Sequence, residues 1–202
     1  SIFVTTFNVG ESSIRKLGCI AKWIPRDYDV YAVGLQECVQ LVQLRAAIHE
    51  HLGGPSEYCI YTNEIGQVYK ALGYHGHIAL TVLVRAAMVA DGTVVEEERV
   101  TTEVRRGKNL GLRRASNKGA VGLAFRVNDS RVGFVAAHLA ADSKGRSRGG
   151  KRHADARDIL ARTVLVADDL GIDAHLSHHH LVVMGDLNYR MGGLPPEEIL
   201  DR

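Results

Sequence analysis

The strongest constraint on the fold is a set of four short apolar runs that each end at a polar side chain suited to catalysis. The runs and their terminal residues are 2–7 with Asn8, 30–35 with Glu37, 134–137 with His138, and 181–184 with Asp186. Short apolar runs bounded by polar residues are typical of buried strands. Because sites gather where rigid strands end and loops converge, the pattern predicts an α/β fold with a site at the strand ends.

The last of these runs leads into the block Met184-Gly185-Asp186-Leu187-Asn188-Tyr189-Arg190. Because strand side chains alternate with a period of two, Asp186 and Asn188 can project to the same side. Gly185 permits a close approach of backbone or substrate. A carboxylate beside an amide donor suits the activation of a water and the stabilisation of an oxyanion. A strand followed by an ordinary Asp/Asn turn is the alternative interpretation.

Strands and helix-like segments alternate along the chain. Predicted strands cover residues 2–7, 30–35, 58–63, 77–85, 94–104, 119–127, 131–137 and 181–184. Predicted helices cover residues 39–51 and about 154–170, and a further helix-like run ends at Trp23, just before Pro25. Because no repeat or linker interrupts this pattern, the sequence predicts one α/β domain over residues 1–202 with mixed strand directions.

The composition is that of an ordinary globular protein. Apolar residues make up 46% of the 202 residues and charged residues 24%, which argues against a disordered or fibrous chain. The formal charge of +2 predicts no general attraction to polyanions, so any preference for anions must be local. No apolar run reaches bilayer length. Cys19, Cys38 and Cys59 are odd in number and lack metal-ligand spacing, which favours free thiols.

Each strand-end residue also has a purely structural interpretation. Asn8 can be a turn residue, Glu37 can cap the helix that follows it, and His138 can be a half-buried imidazole. Taken together, oxygen ligands and a histidine that can be neutral fit a Mg²⁺-assisted phosphate site.

Four blocks of the chain resemble the inositol polyphosphate 5-phosphatases of the endonuclease/exonuclease/phosphatase superfamily, and they occur in the order of that family. They are Thr6-Phe7-Asn8-Val9-Gly10, Asp29-Val30-Tyr31-Ala32-Val33-Gly34-Leu35-Gln36-Glu37, Ser116-Asn117-Lys118-Gly119-Ala120-Val121-Gly122 with His138-Leu139-Ala140-Ala141, and Gly185-Asp186-Leu187-Asn188-Tyr189-Arg190. The Asn-Lys-Gly and Gly-Asp-Leu-Asn-Tyr-Arg blocks separate this family from the nucleases of the superfamily.

The resemblance implies a four-layer, DNase I-like α/β fold, in which two mixed β-sheets pack as a sandwich flanked by helices. It implies Mg²⁺-dependent hydrolysis of the 5-phosphate of inositol polyphosphates or phosphoinositides by a water that an aspartate activates. It further implies a monomeric catalytic domain that is cytoplasmic and peripheral to membranes, with an anionic membrane surface as a possible partner and nucleic acid as none.

The resemblance also implies roles for particular residues. Glu37 would be the principal Mg²⁺ ligand, with Asn8 in or near the metal shell. Asp186 would orient and deprotonate the attacking water, and Asn188 would hydrogen-bond the phosphoryl oxygens. His138 would contact the scissile phosphate and donate hydrogen bonds to the charge that grows in the transition state.

Substrate binding is implied for three more residues of the matching blocks. Asn117 and Lys118 lie on a glycine-containing loop suited to a phosphorylated inositol ring, and Arg190 closes the last block. Lys118 supplies a point charge that a neutral residue could not. An exposed loop lysine is the alternative interpretation of Lys118.

Two basic stretches flank these blocks. Residues 105–108 and 113–114 precede the Asn-Lys-Gly loop, and a glycine-rich loop at residues 143–152 follows His138. If the neighbouring strands face the site, both stretches form a positive rim that would attract ring phosphates or an anionic membrane surface. Solvated loops are the alternative.

The chain departs from the family pattern in two ways. Phe7 and Val183-Met184 stand where tryptophan is usual, which changes packing more than chemistry. The family continues past the last block to a terminal Asp-His pair, whereas this chain stops at Arg202. We therefore expect a C-terminally incomplete catalytic domain, part of a longer polypeptide, whose 202 residues alone have negligible phosphatase activity.

Two alternatives to a 5-phosphatase remain open at this level. One is a superfamily phosphodiesterase that cuts nucleic acid or sphingomyelin, against which Lys118 in its Asn-Lys-Gly setting argues. The other is a catalytically silent fragment that binds phosphoinositides without hydrolysing them.

Overall fold

A computed structural model describes residues 1–16, 18–67, 76–97, 103–105, 109–110, 113–114, 118–163, 165 and 172–190 of the chain. The strands are β1 (Ile2–Asn8), β2 (Val30–Cys38), β3 (Tyr58–Gln67), β4 (Gly76–Arg85), β5 (Val94–Glu96), β6 (Glu103–Arg105), β7 (Asn109–Leu110), β8 (Arg113–Arg114), β9 (Gly119–Val127), β10 (Ser130–His138) and β11 (His180–Asp186). The α-helices are α1 (Ile20–Trp23), α2 (Leu41–His51), α3 (Ala86–Ala90), α4 (Gly149–Arg162) and α5 (Ala174–Ser177), with short 3₁₀ helices at Ile14–Lys16 and Gly54–Ser56.

The two main sheets share one plan. The first has the strand order β1-β2-β4-β3 and the second the order β11-β10-β9-β5, with β6 also paired to β9. In each sheet, the first two strands of this order are parallel and the later pairings are antiparallel. The parallel pairs are joined by helical crossovers, as parallel strands require. The mixed strand directions predicted from the sequence are therefore confirmed.

Apolar side chains on both faces of the central strands explain why the sheets are covered on both sides. On one face of β2, Val30 and Ala32 join Phe125 and Phe134 of the second sheet in a shared core. The other face, which includes Tyr31, packs in a separate cluster with residues of α2. A strand that is apolar on both faces is stable only between two layers.

The outer face of the second sheet is covered in the same way by α4. Ala124, Val135 and Ala137 form a third apolar cluster with Ile159 of this helix. The layers therefore run helix, sheet, sheet, helix, and the predicted four-layer sandwich is confirmed. Among the described helices, none combines the length and apolarity that crossing a bilayer requires.

Several predicted boundaries are wrong. Helix α4 begins at Gly149 rather than near residue 154, and it ends at Arg162, since Thr163 is already extended. Positions 164 and 166–170 of the predicted helix lie outside the described residues. The segment 94–104 contributes two separate strands, β5 and β6, which both pair with β9. The run before Trp23 gives only a 3₁₀ turn and one short helix, α1. Each error concerns where an element ends, which periodicity predicts poorly.

Candidate active site

In each parallel strand pair, the last residues of the two strands lie side by side. At the end of the first pair, Asn8 of β1 lies beside Gln36 of β2, one residue before Glu37. At the end of the second pair, His138 of β10 lies directly beside Asp186 of β11. Parallel strands end on the same side of a sheet, so each sheet delivers two polar side chains to one edge.

Contacts between the sheets join these four residues into one cluster. The Asn8 amide nitrogen Nδ2 donates to Asp186 Oδ2 at 2.9 Å, linking β1 to β11. His138 Nε2 lies 3.3 Å from Asp186 Oδ2 and 3.8 Å from Glu37 Oε1. The convergence expected from the sequence is therefore observed, and it spans both sheets.

Glu37 occupies a break in its strand. Its backbone has a positive φ of 53°, and the β2–β4 register shifts between Leu35 and Cys38. The Glu37 carbonyl accepts a hydrogen bond from the Glu11 N–H at 3.0 Å, which ties the loop after β1 to this break. Helix α2 begins only at Leu41, so Glu37 does not cap it. A strained backbone next to a cluster of polar groups is typical of a functional site.

Gly185 allows β11 to pack closely against β10 at the end of the second sheet. Its φ is 136°, and a Cβ atom placed there would lie 1.9 Å from the Ala137 carbonyl oxygen. Only glycine fits both the backbone conformation and this approach. The neighbouring strand thereby stays in register up to His138 and Asp186, as the predicted close approach at Gly185 required.

The segment after Asp186 is a tight turn. Asp186 Oδ1 accepts a hydrogen bond from the Asn188 N–H at 3.1 Å, and Asn188 has a φ of 56°. The Asn188 amide nitrogen Nδ2 donates to the Leu139 carbonyl at 3.2 Å. The turn interpretation is therefore correct for the backbone, and the same turn holds the Asp186 carboxylate in place.

Lys118 and His138 form a buried basic pair. The Lys118 ammonium contacts His138 Nε2, and the His138 side chain is 3% exposed. Burial, together with the nearby charge of Lys118, lowers the pKa of His138 to about 4, although Asp186 opposes this shift. Burial also lowers the pKa of Lys118, against the raising effect of Glu37 and Asp186. A neutral His138 can accept the hydrogen bond that Lys118 donates.

Two residues beside the site were missed by the sequence patterns. Arg152 is 3% exposed and donates to the Ala140 carbonyl and to Asp142. Asp142 lies 4.0 Å from Arg190 Nε, and Arg190 Nη2 lies 3.5 Å from Asn188 Oδ1. The only prior signal was Asp142 as the single acid in a basic stretch, and nothing there distinguished Arg152 from its neighbours.

Other predicted residues are placed only in part. Arg190 is exposed, with its contacts to Asp142 and Asn188 as described. Asn117 and the basic residues 106–108 lie outside the described residues.

The oxygen atoms at the strand ends suit a hard cation. Mg²⁺ is usually held by one or two carboxylates while waters and substrate phosphates fill its remaining positions. Glu37 offers a carboxylate that is 31% exposed, and Asn8 offers an amide oxygen that also accepts from the Gly10 N–H. Within the described part of the chain, no group of three or more His, Cys, Asp or Glu side chains is placed to hold a metal ion, so the protein's own ligands would be few. The donor set therefore fits an open magnesium site.

Comparison with known families agrees with this geometry. Residues 5–201 match the model of Endonuclease/Exonuclease/phosphatase family 2, and the chain belongs to this family. The resemblance deduced from the four sequence blocks is confirmed.

Relatives within the family include named 5-phosphatases. Phosphatidylinositol 3,4,5-trisphosphate 5-phosphatase 2B of Danio rerio is 30% identical over 206 residues, which cover 95% of this chain and 15% of that protein. Type II inositol 1,4,5-trisphosphate 5-phosphatase of Mus musculus is 27% identical over 209 residues, covering 94% of this chain and 19% of that protein. The chain therefore spans less than a fifth of the length of these relatives.

A solved structure supports the fold. The inositol polyphosphate 5-phosphatase domain of SpSynaptojanin, in complex with inositol (1,4)-bisphosphate and calcium ion, has a TM-score of 0.63 and 23% identity. The match covers 99% of this chain and 55% of that chain. At this identity the likeness establishes the fold, and the chain spans about half of that domain.

Proposed function

We propose that this domain belongs to an enzyme that hydrolyses the 5-phosphate of inositol polyphosphates or phosphoinositides with the help of Mg²⁺. The observation that carries the proposal is the contact of Asn8 and His138 with Asp186, with Glu37 beside them, at one edge of both sheets. The relatives are named as 5-phosphatases, which fixes the position of the phosphate proposed here.

Glu37 and Asn8 would hold the magnesium ion through their side-chain oxygens. When bound, the ion supplies positive charge that neutralises phosphoryl oxygens. The Glu37 backbone has a positive φ, and its carbonyl accepts a hydrogen bond from the Glu11 N–H, so the point from which the carboxylate extends is fixed in advance. Such preorganisation avoids an ordering cost when substrate binds.

Asp186 is the proposed general base. In the proposed hydrolysis the water oxygen bonds to phosphorus while the bond from phosphorus to the ring oxygen breaks. The water proton passes to Asp186, and the ring oxygen takes up a proton and leaves as a hydroxyl group. Asn8 donates to one carboxylate oxygen of Asp186 and the Asn188 N–H donates to the other, so the group is held in one orientation. At 28% exposure, Asp186 remains accessible to a water molecule. Positioned bases of this kind contribute about 10²–10⁴-fold in rate.

Lys118 and His138 are proposed to stabilise phosphate charge. The Lys118 ammonium donates to His138, which fixes the cation beside Asp186 at the end of the strands. With His138 Nε2 acting as an acceptor, Lys118 is the donor available at this point. Donation by His138 itself would require a phosphate oxygen to displace Lys118 and a proton to occupy Nε2.

Contacts with the rest of the substrate are proposed for three residues. One amide proton of Asn188 binds the Leu139 carbonyl, and the second is proposed to bind a phosphoryl oxygen. Arg190 and Asn117 are proposed to contact the phosphorylated ring. A substrate class that includes lipids would place the protein at a membrane surface.

The proposal is tested by phosphate release from inositol 1,4,5-trisphosphate, with Mg²⁺ and the naturally expressed protein. We expect Asp186→Asn to lower the rate by about 10²–10⁴-fold. Asp158→Asn, which alters a surface carboxylate paired with Arg162, should leave the rate within about twofold. Full activity of Asp186→Asn would contradict the proposal, as would cleavage of abasic DNA without phosphate release.

A further inference from the structure

The loop between β10 and α4 carries charge that the proposed reaction does not use. We define the basic loop as residues 142–148, which contain Lys144, Arg146 and Arg148, all exposed. Asp142 is the only acid between residues 139 and 154. In a chain with a formal charge of only +2, three cations within five residues form a pronounced local concentration of positive charge.

Hydrogen bonds within the basic loop, and others from Arg152 of α4, hold the backbone of the loop in one conformation. Ser143 and Arg146 exchange backbone hydrogen bonds of 3.2 and 3.0 Å around a turn in which Lys144 has a φ of 50°. The Arg148 N–H donates to Asp142 Oδ1 at 3.0 Å. From below, the buried Arg152 donates to Asp142 and approaches Ser147 Oγ at 3.4 Å.

The Asp142 carboxylate of the loop is bound by the buried Arg152 and not by the side chains of the loop cations. Arg152 occupies Asp142 from beneath, and this pair holds the pKa of the Asp142 carboxyl below its ordinary value. Across the described part of the chain, no carboxylate lies within ion-pair distance of Lys144, Arg146 or Arg148. A loop held by its backbone, with its cations left free, is preorganised for an anion.

The basic loop also borders the candidate active site. The loop begins four residues after His138, and Arg152 beneath it donates to the Ala140 carbonyl. Asp142 is joined to Asn188 through Arg190. An anion bound at the loop would therefore lie beside the cleft that receives the scissile phosphate.

We infer that the basic loop is a second phosphate-binding site, separate from the catalytic cluster. A cavity of about 590 Å³ is lined by Ser143, Lys144, Arg146, Ser147 and Arg148. Hydroxyl groups and guanidinium donors around a positive concavity match the oxygens of a phosphate group. The phosphate can belong to a membrane lipid or to a soluble inositol polyphosphate, since both present the same oxygens.

Binding measurements in EDTA test the site without metal or turnover. The soluble probe is inositol hexakisphosphate, followed by calorimetry, and the lipid probe is phosphatidylcholine vesicles containing phosphatidic acid, followed by co-sedimentation. The loop variant is Lys144→Ala with Arg146→Ala and Arg148→Ala. The control variant removes three exposed cations elsewhere, Lys22→Ala with Arg26→Ala and Arg157→Ala, and so loses the same charge.

We expect the loop variant to weaken binding of at least one probe by about tenfold or more, and the control variant by less than about threefold. Loss with vesicles alone assigns the site to lipid phosphate, and loss with the soluble probe alone assigns it to free phosphates. Equal weakening by both variants, no effect of the loop variant, or no binding by the wild-type chain would overturn the inference. Circular dichroism checks that both variants are folded.

These measurements are independent of the proposed hydrolysis. If the protein releases no phosphate from any substrate, binding at the basic loop can still be present. If the loop variant binds both probes as the wild type does, the catalytic cluster is unaffected.

Discussion

The two sheets are built on the same plan but deliver different chemistry. Each places a parallel strand pair next to antiparallel strands, and each parallel pair ends at the candidate site. The first sheet ends in Asn8 and Glu37, which offer oxygen ligands and an amide. The second ends in His138 and Asp186, which offer a base and a partner for Lys118. The architecture thus fixes where side chains meet, and the terminal residues decide what they do.

The outer layers of the two sheets differ even more. The first sheet is backed by α2 and an aromatic cluster in which the Tyr31 and Tyr58 rings lie 5.6 Å apart. The second is backed by α4, whose buried residues include the charged Arg152 and Asp155 as well as the apolar Ile159. Because a buried charge depends on its partners, the second sheet is expected to be the more sensitive to mutation near the site.

The largest effect is expected when each sheet loses its carboxylate. Glu37→Gln and Asp186→Asn should each lower the rate of phosphate release by about 10²–10⁴-fold, because both act on the same phosphate. Since they act as a unit, the double variant should be slower than the worse single variant by no more than about tenfold. Rate measurements on the three variants check this prediction, with Glu50→Gln as a surface control. If the rate loss of the double variant equals the product of the two single losses, the two carboxylates act independently.

The next largest effect tests the pairing of β10 with β11. Gly185→Ala places a Cβ 1.9 Å from the Ala137 carbonyl at a φ of 136°, so we expect a loss of about 3 kcal/mol or more in the free energy of unfolding. Gly150→Ala, which meets no atom within 4 Å in the first turn of α4, should be neutral or stabilising. Urea denaturation measures both, and an unchanged Gly185→Ala would show that this edge can rearrange.

Arg152 tests the outer layer of the second sheet. Its replacement by alanine removes donors to Asp142 and the Ala140 carbonyl and leaves a void beneath the basic loop. We expect a cost of about 2–3 kcal/mol in unfolding free energy, whereas Arg157→Ala on the exposed face of α4 should cost less than about 0.5 kcal/mol. Equal costs for the two substitutions would mean that the buried arginine is not needed for stability.

The smallest effect concerns the aromatic layer behind the first sheet. The Tyr58 hydroxyl donates to the Tyr28 carbonyl at 2.7 Å, so Tyr58→Phe should cost about 1 kcal/mol at neutral pH. Burial raises the pKa of Tyr58 from 10.0 to about 12. Because the fold favours the neutral phenol, this contribution is full below pH 10 and is lost as the pH rises towards 12.

Denaturation of the wild type and of Tyr58→Phe across this alkaline range separates the contribution of Tyr58 from that of other groups. The wild type should lose its advantage over the variant as the pH rises. A constant difference between the two would show that the Tyr58 phenol does not titrate differently in the folded state.

The sequence predicted the strand ends because chemistry-bearing residues there follow short, largely apolar runs. Asn8, Glu37, His138 and Asp186 each follow a largely apolar run in the sequence, which local pattern alone can reveal. Their mutual contacts, such as that of Asn8 with Asp186 across 178 positions, could be expected only through the family resemblance. Local periodicity contains no information about which strands become neighbours.

Features that depend on tertiary context were not predicted. Arg152 was one of several cations expected to form a positive rim, yet α4 starts early enough to bury it against Asp142. The helix was predicted to run on past Arg162, but Thr163 is extended and ends it. The positive φ of Glu37 had no sequence signal, since glutamate rarely adopts it.

The most direct test of the central claim is to identify which phosphate the naturally expressed protein removes. Inositol 1,4,5-trisphosphate is incubated with Mg²⁺, and the products are resolved by phosphorus NMR. If the two strand pairs form one 5-phosphatase site, the 5-phosphate resonance alone should disappear, and Asp186→Asn should preserve it. The account would be contradicted if all three phosphates stayed on the substrate in the presence of the folded wild-type protein, or if a different phosphate were removed.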